Sequence, residues 1–134
     1  LGSGVLAALT ALAAPESIRA LFVSHWHFDH TADIPVLMYR LQALGLTLPV
    51  LGPVDESASL YRLVASTPCF SFTEVAAGQT LSLDGASVSV CHARHPVPAV
   101  GYRLSDGRKT FGYTGDTNTL PSLAEEFRHV IFAG

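Results

Sequence analysis

The stretch His25-Trp26-His27-Phe28-Asp29-His30 decides how the rest of this chain is interpreted. It places three imidazoles and one carboxylate within six residues, and all four side chains bind divalent transition metals. The apolar, β-prone residues 21–24 come directly before it, so the motif lies where a strand ends and a loop begins. Open α/β folds carry their chemistry at such strand ends. A plain surface turn would give no reason for this cluster, so the stretch predicts a metal site.

Hydrophobic periodicity predicts the elements on either side of this motif. We expect helices over residues 4–14, 31–44, 55–66 and 120–127, and strands over 18–24, 48–51, 70–75, 80–83, 87–93, 100–104 and 110–113. A last apolar strand is expected from Val130 to Gly134. The pairs Asp84-Gly85 and Asp106-Gly107 are typical of hairpin turns.

Composition narrows the class of protein. The 134 residues fit one domain, with 49% hydrophobic and 14% charged residues. The net charge of −3 and the lack of a basic block argue against sequence-independent nucleic-acid binding. No apolar run is long enough to span a membrane, so no membrane partner is expected. Cys69 and Cys91 form no C-x-x-C pattern, which favours a reduced, cytoplasmic protein.

Two further stretches each place a metal-binding side chain after a predicted strand. Residues 92–103 contain His95, and residues 113–117 contain Asp116. Together with the first motif they offer His25, His27 and His95 for one ion, Asp29 and His30 for a second, and Asp116 as a bridge. Two adjacent ions can lower the pKa of a shared water from about 16 toward 7 and so supply a hydroxide at neutral pH. Asp29 beside them can orient that hydroxide or move its proton, and is the candidate catalytic residue.

The three stretches together resemble a known family. Residues 25–30 match the H-x-H-x-D-H signature of the metallo-β-lactamase-fold hydrolases, and His95 and Asp116 match its third histidine and bridging aspartate in order. The resemblance implies an α/β fold of the αββα four-layer sandwich type, with two sheets between helical layers. It also implies two divalent metal ions and hydrolysis by a metal-bound hydroxide. Zinc is the expected metal, with manganese, nickel or iron as alternatives.

The residues after His95 narrow the branch. Pro96-Val97-Pro98 and the later Tyr113-Thr114-Gly115-Asp116-Thr117 look like the ribonuclease Z and cyclic phosphodiesterase side of the superfamily. Ribonuclease Z enzymes carry a long tRNA-gripping arm between the third histidine and the bridging aspartate, whereas this interval holds one hairpin. The resemblance therefore disfavours tRNA and favours a small phosphodiester. A carboxylic ester, thioester or lactone hydrolase on the same metal centre remains an alternative.

The family takes one more histidine for its second ion from near the end of the domain. The only histidine after Asp116 is His129, which matches an earlier strand of the family and is a poor candidate. We therefore expect residues 1–134 to be the N-terminal portion of a single metallo-β-lactamase-like hydrolase domain, cut at both ends. Such a piece would pair with the missing C-terminal part or form a homo-oligomer. It could also be a non-catalytic fragment that binds a metal or a protein partner.

Three further residues are candidates for supporting the site or contacting the substrate. His92 lies three residues before His95, where it is expected to be a core histidine or to support a ligand rather than bind metal. Asp33 either accepts a hydrogen bond from a ligand imidazole or stabilises the first turn of a helix. Trp26 is expected to pack and fix the loop, or else to line the substrate pocket.

Overall fold

The computed structural model describes residues 1–132, and they form two compact units. Unit 1 covers residues 1–74, and unit 2 is the described chain from Val75 onward. The expected continuation of the last strand through Ala133 and Gly134 lies outside the described residues.

Unit 1 is a parallel sheet with helices in its connections. Its elements in chain order are α1 (Val5–Leu12), a short 3-10 turn (Pro15–Ser17), β1 (Leu21–Phe22), α2 (Phe28–Thr31), α3 (Ile34–Leu44), β2 (Leu48–Gly52), α4 (Ser59–Ser66) and β3 (Phe70–Glu74). The strand order is β1-β2-β3, and both pairings are parallel. Parallel neighbours need a crossover between them, which α2 and α3 and then α4 provide.

The core of unit 1 lies between β2 and the apolar sides of the helices. Val50, in the central strand, and Ile34, at the start of α3, are fully buried. Leu37 and Leu41 follow Ile34 at helical spacing and are almost as deeply buried. The first strand is therefore held from one side by β2, with Leu21 opposite Val50, and its end carries the histidine motif.

Unit 2 is a meander of short strands. It consists of β4 (Thr80–Leu83), β5 (Ala86–His92), β6 (Val100–Ser105), β7 (Thr110–Tyr113), α5 (Leu123–Glu126) and β8 (Ile131–Phe132). The strand order is β4-β5-β6-β7-β8, antiparallel up to β7 and parallel between β7 and β8. Val88, Val90, Val100 and Tyr102 form its buried centre. The two Asp-Gly turns lie where the sequence predicted them.

The main departures from the predicted elements occur beside the histidine motif. The strand predicted over 18–24 is regular only at Leu21 and Phe22, and the helix predicted over 31–44 is two helices. The first of these, α2, begins at Phe28 inside the motif, because the amide of Ala32 already donates to the carbonyl of Phe28. The helix predicted over 55–66 starts only at Ser59, since the Asp55 carboxylate binds the amide and hydroxyl of Ser57 in a turn.

Among the helices of residues 1–132, none combines the length and the apolar character that crossing a bilayer requires.

Candidate metal centre

His25 lies directly after the first strand and is completely buried. The pairing of β1 with β2 continues to Val23, whose amide donates to the carbonyl of Leu51 at 2.8 Å. The Ser24 hydroxyl lies 3.2 Å from Nδ1 of His25. A proton on Nδ1 can be donated to that hydroxyl, and this tautomer leaves the lone pair on Nε2 for a metal.

The three imidazoles of the motif converge. The ring centroids of His25 and His27 are 4.7 Å apart with the rings nearly perpendicular, and those of His25 and His30 are 4.3 Å apart. A continuous strand would have sent neighbouring side chains to opposite faces. The convergence follows from the change of direction at His27, where extended backbone gives way to α2.

Asp29 lies on the first turn of α2 and is the most accessible member of the group. Its side chain is 76% exposed, and Oδ2 lies 3.4 Å from Nε2 of His30. This carboxylate can approach an ion or a water without moving any packed group.

The loop that carries these side chains is anchored by its neighbours. Trp26 is only 4% exposed and its Nε1 donates to the carbonyl of Pro53 at 2.7 Å. Its ring packs edge-on against Tyr61, with centroids 5.7 Å apart. Thr31 is fully buried and donates its hydroxyl to the carbonyl of His27 at 2.7 Å. Trp26 is thus a packing residue in unit 1, which is the first of the two roles expected for it.

Gly2 supports the loop in a way that the sequence did not reveal. A Cβ at this position would lie 2.0 Å from the carbonyl oxygen of Asp29, which is far inside van der Waals contact. The backbone near the start of the chain therefore packs directly against the ligand-bearing turn. Only glycine allows this approach.

The Asp33 carboxylate serves a helix terminus. Its Oδ2 accepts a hydrogen bond from the amide of Leu6 at 2.8 Å, which satisfies a donor in the first turn of α1. The expected hydrogen bond from a ligand imidazole to Asp33 is not seen in the described part of the chain. The carboxylate stabilises a helix start, although the helix is α1 and not its own.

In unit 2, His95 and Asp116 line one cavity of about 400 Å³ together with Gly115, Thr117 and Asn118. His95 comes from the loop between β5 and β6, and Asp116 follows β7. Gly115 has a φ of 60°, in the left-handed region, and this turns the chain sharply just before the carboxylate.

His92 is not a core histidine, so the first of its two predicted roles is wrong, while support of a ligand stays a prediction. Its side chain is 60% exposed, its Nδ1 lies 3.0 Å from Oε1 of Glu126, and its amide donates to Oε2 of Glu126 at 2.7 Å. Burial of Glu126 opposes ionisation, but hydrogen bonds from Ser122 and His92 outweigh it and lower the pKa of Glu126 below its ordinary value.

The chemistry of these donors fits divalent transition metals. Unit 1 has three imidazoles and one carboxylate on a single loop, and unit 2 has one imidazole and one carboxylate that line a cavity of its own. Nitrogen and oxygen donors of this kind suit zinc, iron, nickel and manganese. Both cysteines are buried: burial raises the pKa of Cys69, and burial followed by the charge of Glu126 raises that of Cys91 to about 11.

The relatives of this chain include a probable metallo-hydrolase and a ribonuclease. The chain is 30% identical over 128 residues to the probable metallo-hydrolase YhfI of Bacillus subtilis, covering 91% of this chain and 52% of YhfI. It is 29% identical over 108 residues to ribonuclease BN of Cronobacter sakazakii, covering 75% of this chain and 36% of that enzyme. The chain thus spans about half of YhfI and about a third of the ribonuclease.

The chain also resembles a solved structure in its fold. The crystal structure of YhfI, a metallo-β-lactamase fold protein, superposes with a TM-score of 0.86 at 27% identity, covering 97% of this chain and 54% of that one. The predicted α/β fold of the metallo-β-lactamase type is therefore confirmed. The family model for the beta-lactamase superfamily domain matches residues 4–131. With its two sheets, its helices and the H-x-H-x-D-H loop, the chain belongs to the metallo-β-lactamase-fold branch of the beta-lactamase superfamily.

Proposed function

We propose that this chain is part of a metal-dependent hydrolase that cleaves a phosphodiester in a small substrate. The observation that carries the proposal is the convergence of the His25, His27 and His30 rings on one side of a buried strand end. Three imidazoles at such distances have no packing purpose, and two of them can share one ion. Family membership supports the same chemistry.

The family resemblance implies a centre that takes two divalent ions. In that assignment His25, His27 and His95 would hold the first ion, Asp29 and His30 would hold the second, and Asp116 would be shared by both. A bound divalent cation lowers the pKa of water and neutralises negative charge that develops on a phosphoryl oxygen. Zinc is the proposed ion, and manganese, nickel or iron are the alternatives that these donors also accept.

The roles of the protein groups follow from their surroundings. His25 is buried and its Nδ1 is beside the Ser24 hydroxyl, so its ring orientation is fixed before an ion binds. Asp29 is exposed and next to His30, so it can accept a proton from the attacking water. The buried ring of Trp26 fixes the loop, because its Nε1 donates a hydrogen bond to the carbonyl of Pro53.

A small phosphodiester is the substrate class that these features favour. One relative is named a ribonuclease, an enzyme that cleaves phosphodiesters. Between His95 and Asp116 the chain has only the β6–β7 hairpin. In its turn the amides of Arg108 and Lys109 donate hydrogen bonds to the Asp106 carboxylate. A net charge of −3 offers no basic surface to a large polyanion.

The test uses the full-length protein purified without added metal. We expect about two transition-metal ions per chain by elemental analysis, and faster hydrolysis of bis-p-nitrophenyl phosphate than of p-nitrophenyl acetate. His27→Ala removes an exposed ligand and should lower the activity by at least about a hundredfold, since even indirect support of a ligand is worth 10- to 100-fold. His129→Asn, at an exposed histidine outside the donor set, is the matched control.

The outcomes separate the alternatives. Preference for the carboxylic ester, a thioester or a lactone would assign the centre to that class of substrate. Absence of transition metal from freshly purified protein would overturn the proposal altogether and favour a non-catalytic role.

A further inference from the structure

We propose that Thr117 is a positioning residue, whose hydroxyl sets where His95 and Asp116 lie relative to one another. This inference rests on the proposed function, because it assigns both residues to a metal centre. It concerns contacts within unit 2 only.

The two loops that carry His95 and Asp116 are joined through the residue next to each ligand. The amide of Arg94 donates to Oγ1 of Thr117 at 2.9 Å, and the amide of Asn118 donates to the carbonyl of Arg94 at 2.8 Å. Both backbone groups of Arg94 are therefore used by the neighbouring loop. We call this pair of hydrogen bonds the Arg94 clamp.

The clamp needs a hydroxyl at position 117. Oγ1 of Thr117 accepts from Arg94 and donates its own proton to the carbonyl of Asn118 at 2.8 Å. An isosteric methyl group can do neither, so the amide of Arg94 would lose its acceptor on the neighbouring loop. Serine keeps the hydroxyl and differs only by one methyl group.

The clamp lies directly beside both proposed ligands. Arg94 comes one residue before His95 and Thr117 one residue after Asp116, so a shift of either backbone moves a ligand directly. Arg94 and Asp116 are both exposed, so the clamp lies at the surface of unit 2.

A second contact holds the start of the His95 loop. Glu126, at the end of α5, holds both the amide and the imidazole of His92, where β5 ends. This bond orients the base of the His95 loop, and the Arg94 clamp then fixes its tip. Loss of the clamp should therefore loosen the ligand positions while the strands remain folded.

The experiment compares Thr117→Val and Thr117→Ser with the wild type in the full-length protein. Zinc affinity is measured by competition with a chromophoric chelator, and turnover is measured with bis-p-nitrophenyl phosphate. We expect Thr117→Val to bind zinc 10- to 100-fold more weakly, with kcat reduced more than KM, and Thr117→Ser to stay within about threefold of the wild type. Thr110→Val, which removes a hydroxyl from β7 away from the ligands, should change neither value.

Wild-type affinity in Thr117→Val, or equal losses in the valine and serine variants, would overturn the assignment. If Thr117→Val does not fold, amide exchange in the metal-free wild type decides: slow exchange at Arg94 and Asn118 supports the clamp and fast exchange refutes it. A wild-type protein that binds no zinc would instead refute the proposed function, and the exchange measurement would still report on the clamp.

Discussion

The histidine loop of residues 25–30 and the two loops that carry His95 and Asp116 offer the same kinds of donor but are built differently. The first is one contiguous stretch, anchored by its own buried tryptophan, by the buried Thr31 that follows it and by the backbone of Gly2. The others are separate in sequence, and are joined by one hydrogen bond to the side-chain hydroxyl of Thr117 and one between backbone groups.

The positions of metal-binding side chains can therefore be held either by core packing or by hydrogen bonds between loops. In unit 1 the donor positions are a by-product of core packing, so they cannot change without loss of stability. In unit 2 they depend on a few polar contacts worth about 1 kcal/mol each. Damage in unit 1 should therefore appear in the free energy of unfolding, and damage in unit 2 mainly in metal binding.

Truncation of Trp26 should have the largest effect. Trp26→Ala removes a buried ring and the hydrogen bond to Pro53, and should lower the free energy of unfolding by about 3–5 kcal/mol. The measurement is urea unfolding followed by far-UV circular dichroism, because Trp26 is the chain's only tryptophan. Trp26→Phe keeps most of the packing and should lose about 1–3 kcal/mol. A loss below 1 kcal/mol in Trp26→Ala would show that the loop does not depend on the core.

Addition of one methyl group at Gly2 should have the next largest effect. Gly2→Ala forces the Asp29 carbonyl away from a Cβ that would otherwise lie 2.0 Å from it, at a cost of about 1–3 kcal/mol. Because Asp29 must move, zinc affinity should fall along with stability, as calorimetry and chelator competition can determine. Ser3→Ala, at the exposed next residue, is the control. Unchanged affinity in Gly2→Ala would mean that the approach of Gly2 does not set the loop.

Removal of the Glu126 charge should have a small, pH-dependent effect in unit 2. Because the pKa of Glu126 is lowered in the folded chain, its stabilisation is present above the ordinary value of 4.5 and is lost as the pH falls through the lowered value. Glu126→Gln should therefore reduce stability at pH 7 by about 0.5 kcal/mol.

Thermal unfolding of Glu126→Gln and the wild type between pH 3 and 7 checks this expectation. The two curves should converge toward acid pH. The control is Glu16→Gln, which removes one negative charge from unit 1. Its stability should depend on pH in the same way as that of the wild type. A gap that widens toward acid pH would contradict the sign of the shift.

The smallest effect is expected at Cys91, whose burial raises its pKa to about 11. At pH 8 almost none of it is thiolate, so a disulfide reagent should modify it more than about a hundredfold more slowly than in the unfolded chain. The comparison with guanidinium-unfolded protein is made in one stopped-flow series. Rapid modification in the folded state would show that β5 opens readily, and that even the strand beneath His95 is weakly held.

Much of unit 1's site could be predicted because it is local in sequence. Residues 25–30 place their donors within one turn, and a strand followed by a turn is enough to bring them together. The two Asp-Gly turns were predictable for the same reason, since a hairpin depends on its own residues. The bounds of β4 and β7 also followed from periodicity alone.

The remainder depends on residues far apart in the chain. His92 was expected to lie in the core or to support a ligand, since it continues the Val88–Val90 alternation, but its exposed side chain pairs with Glu126, which lies 34 residues away. The approach of Gly2 to Asp29 and the Arg94 clamp leave no periodic signal either. The spacing of residues along one sequence cannot reveal a contact between two loops that are far apart in the chain.

The strand orders have a consequence for how the chain is made. In unit 2 each strand from β4 to β7 pairs with its neighbour in sequence, so these hairpins can zip up within microseconds of being released. In unit 1 every pairing waits for a crossover, and parallel sheets of this kind form slowly. The slow half is synthesised first, so a pause in synthesis once residue 74 has emerged from the ribosome would give it time to fold before the fast half emerges.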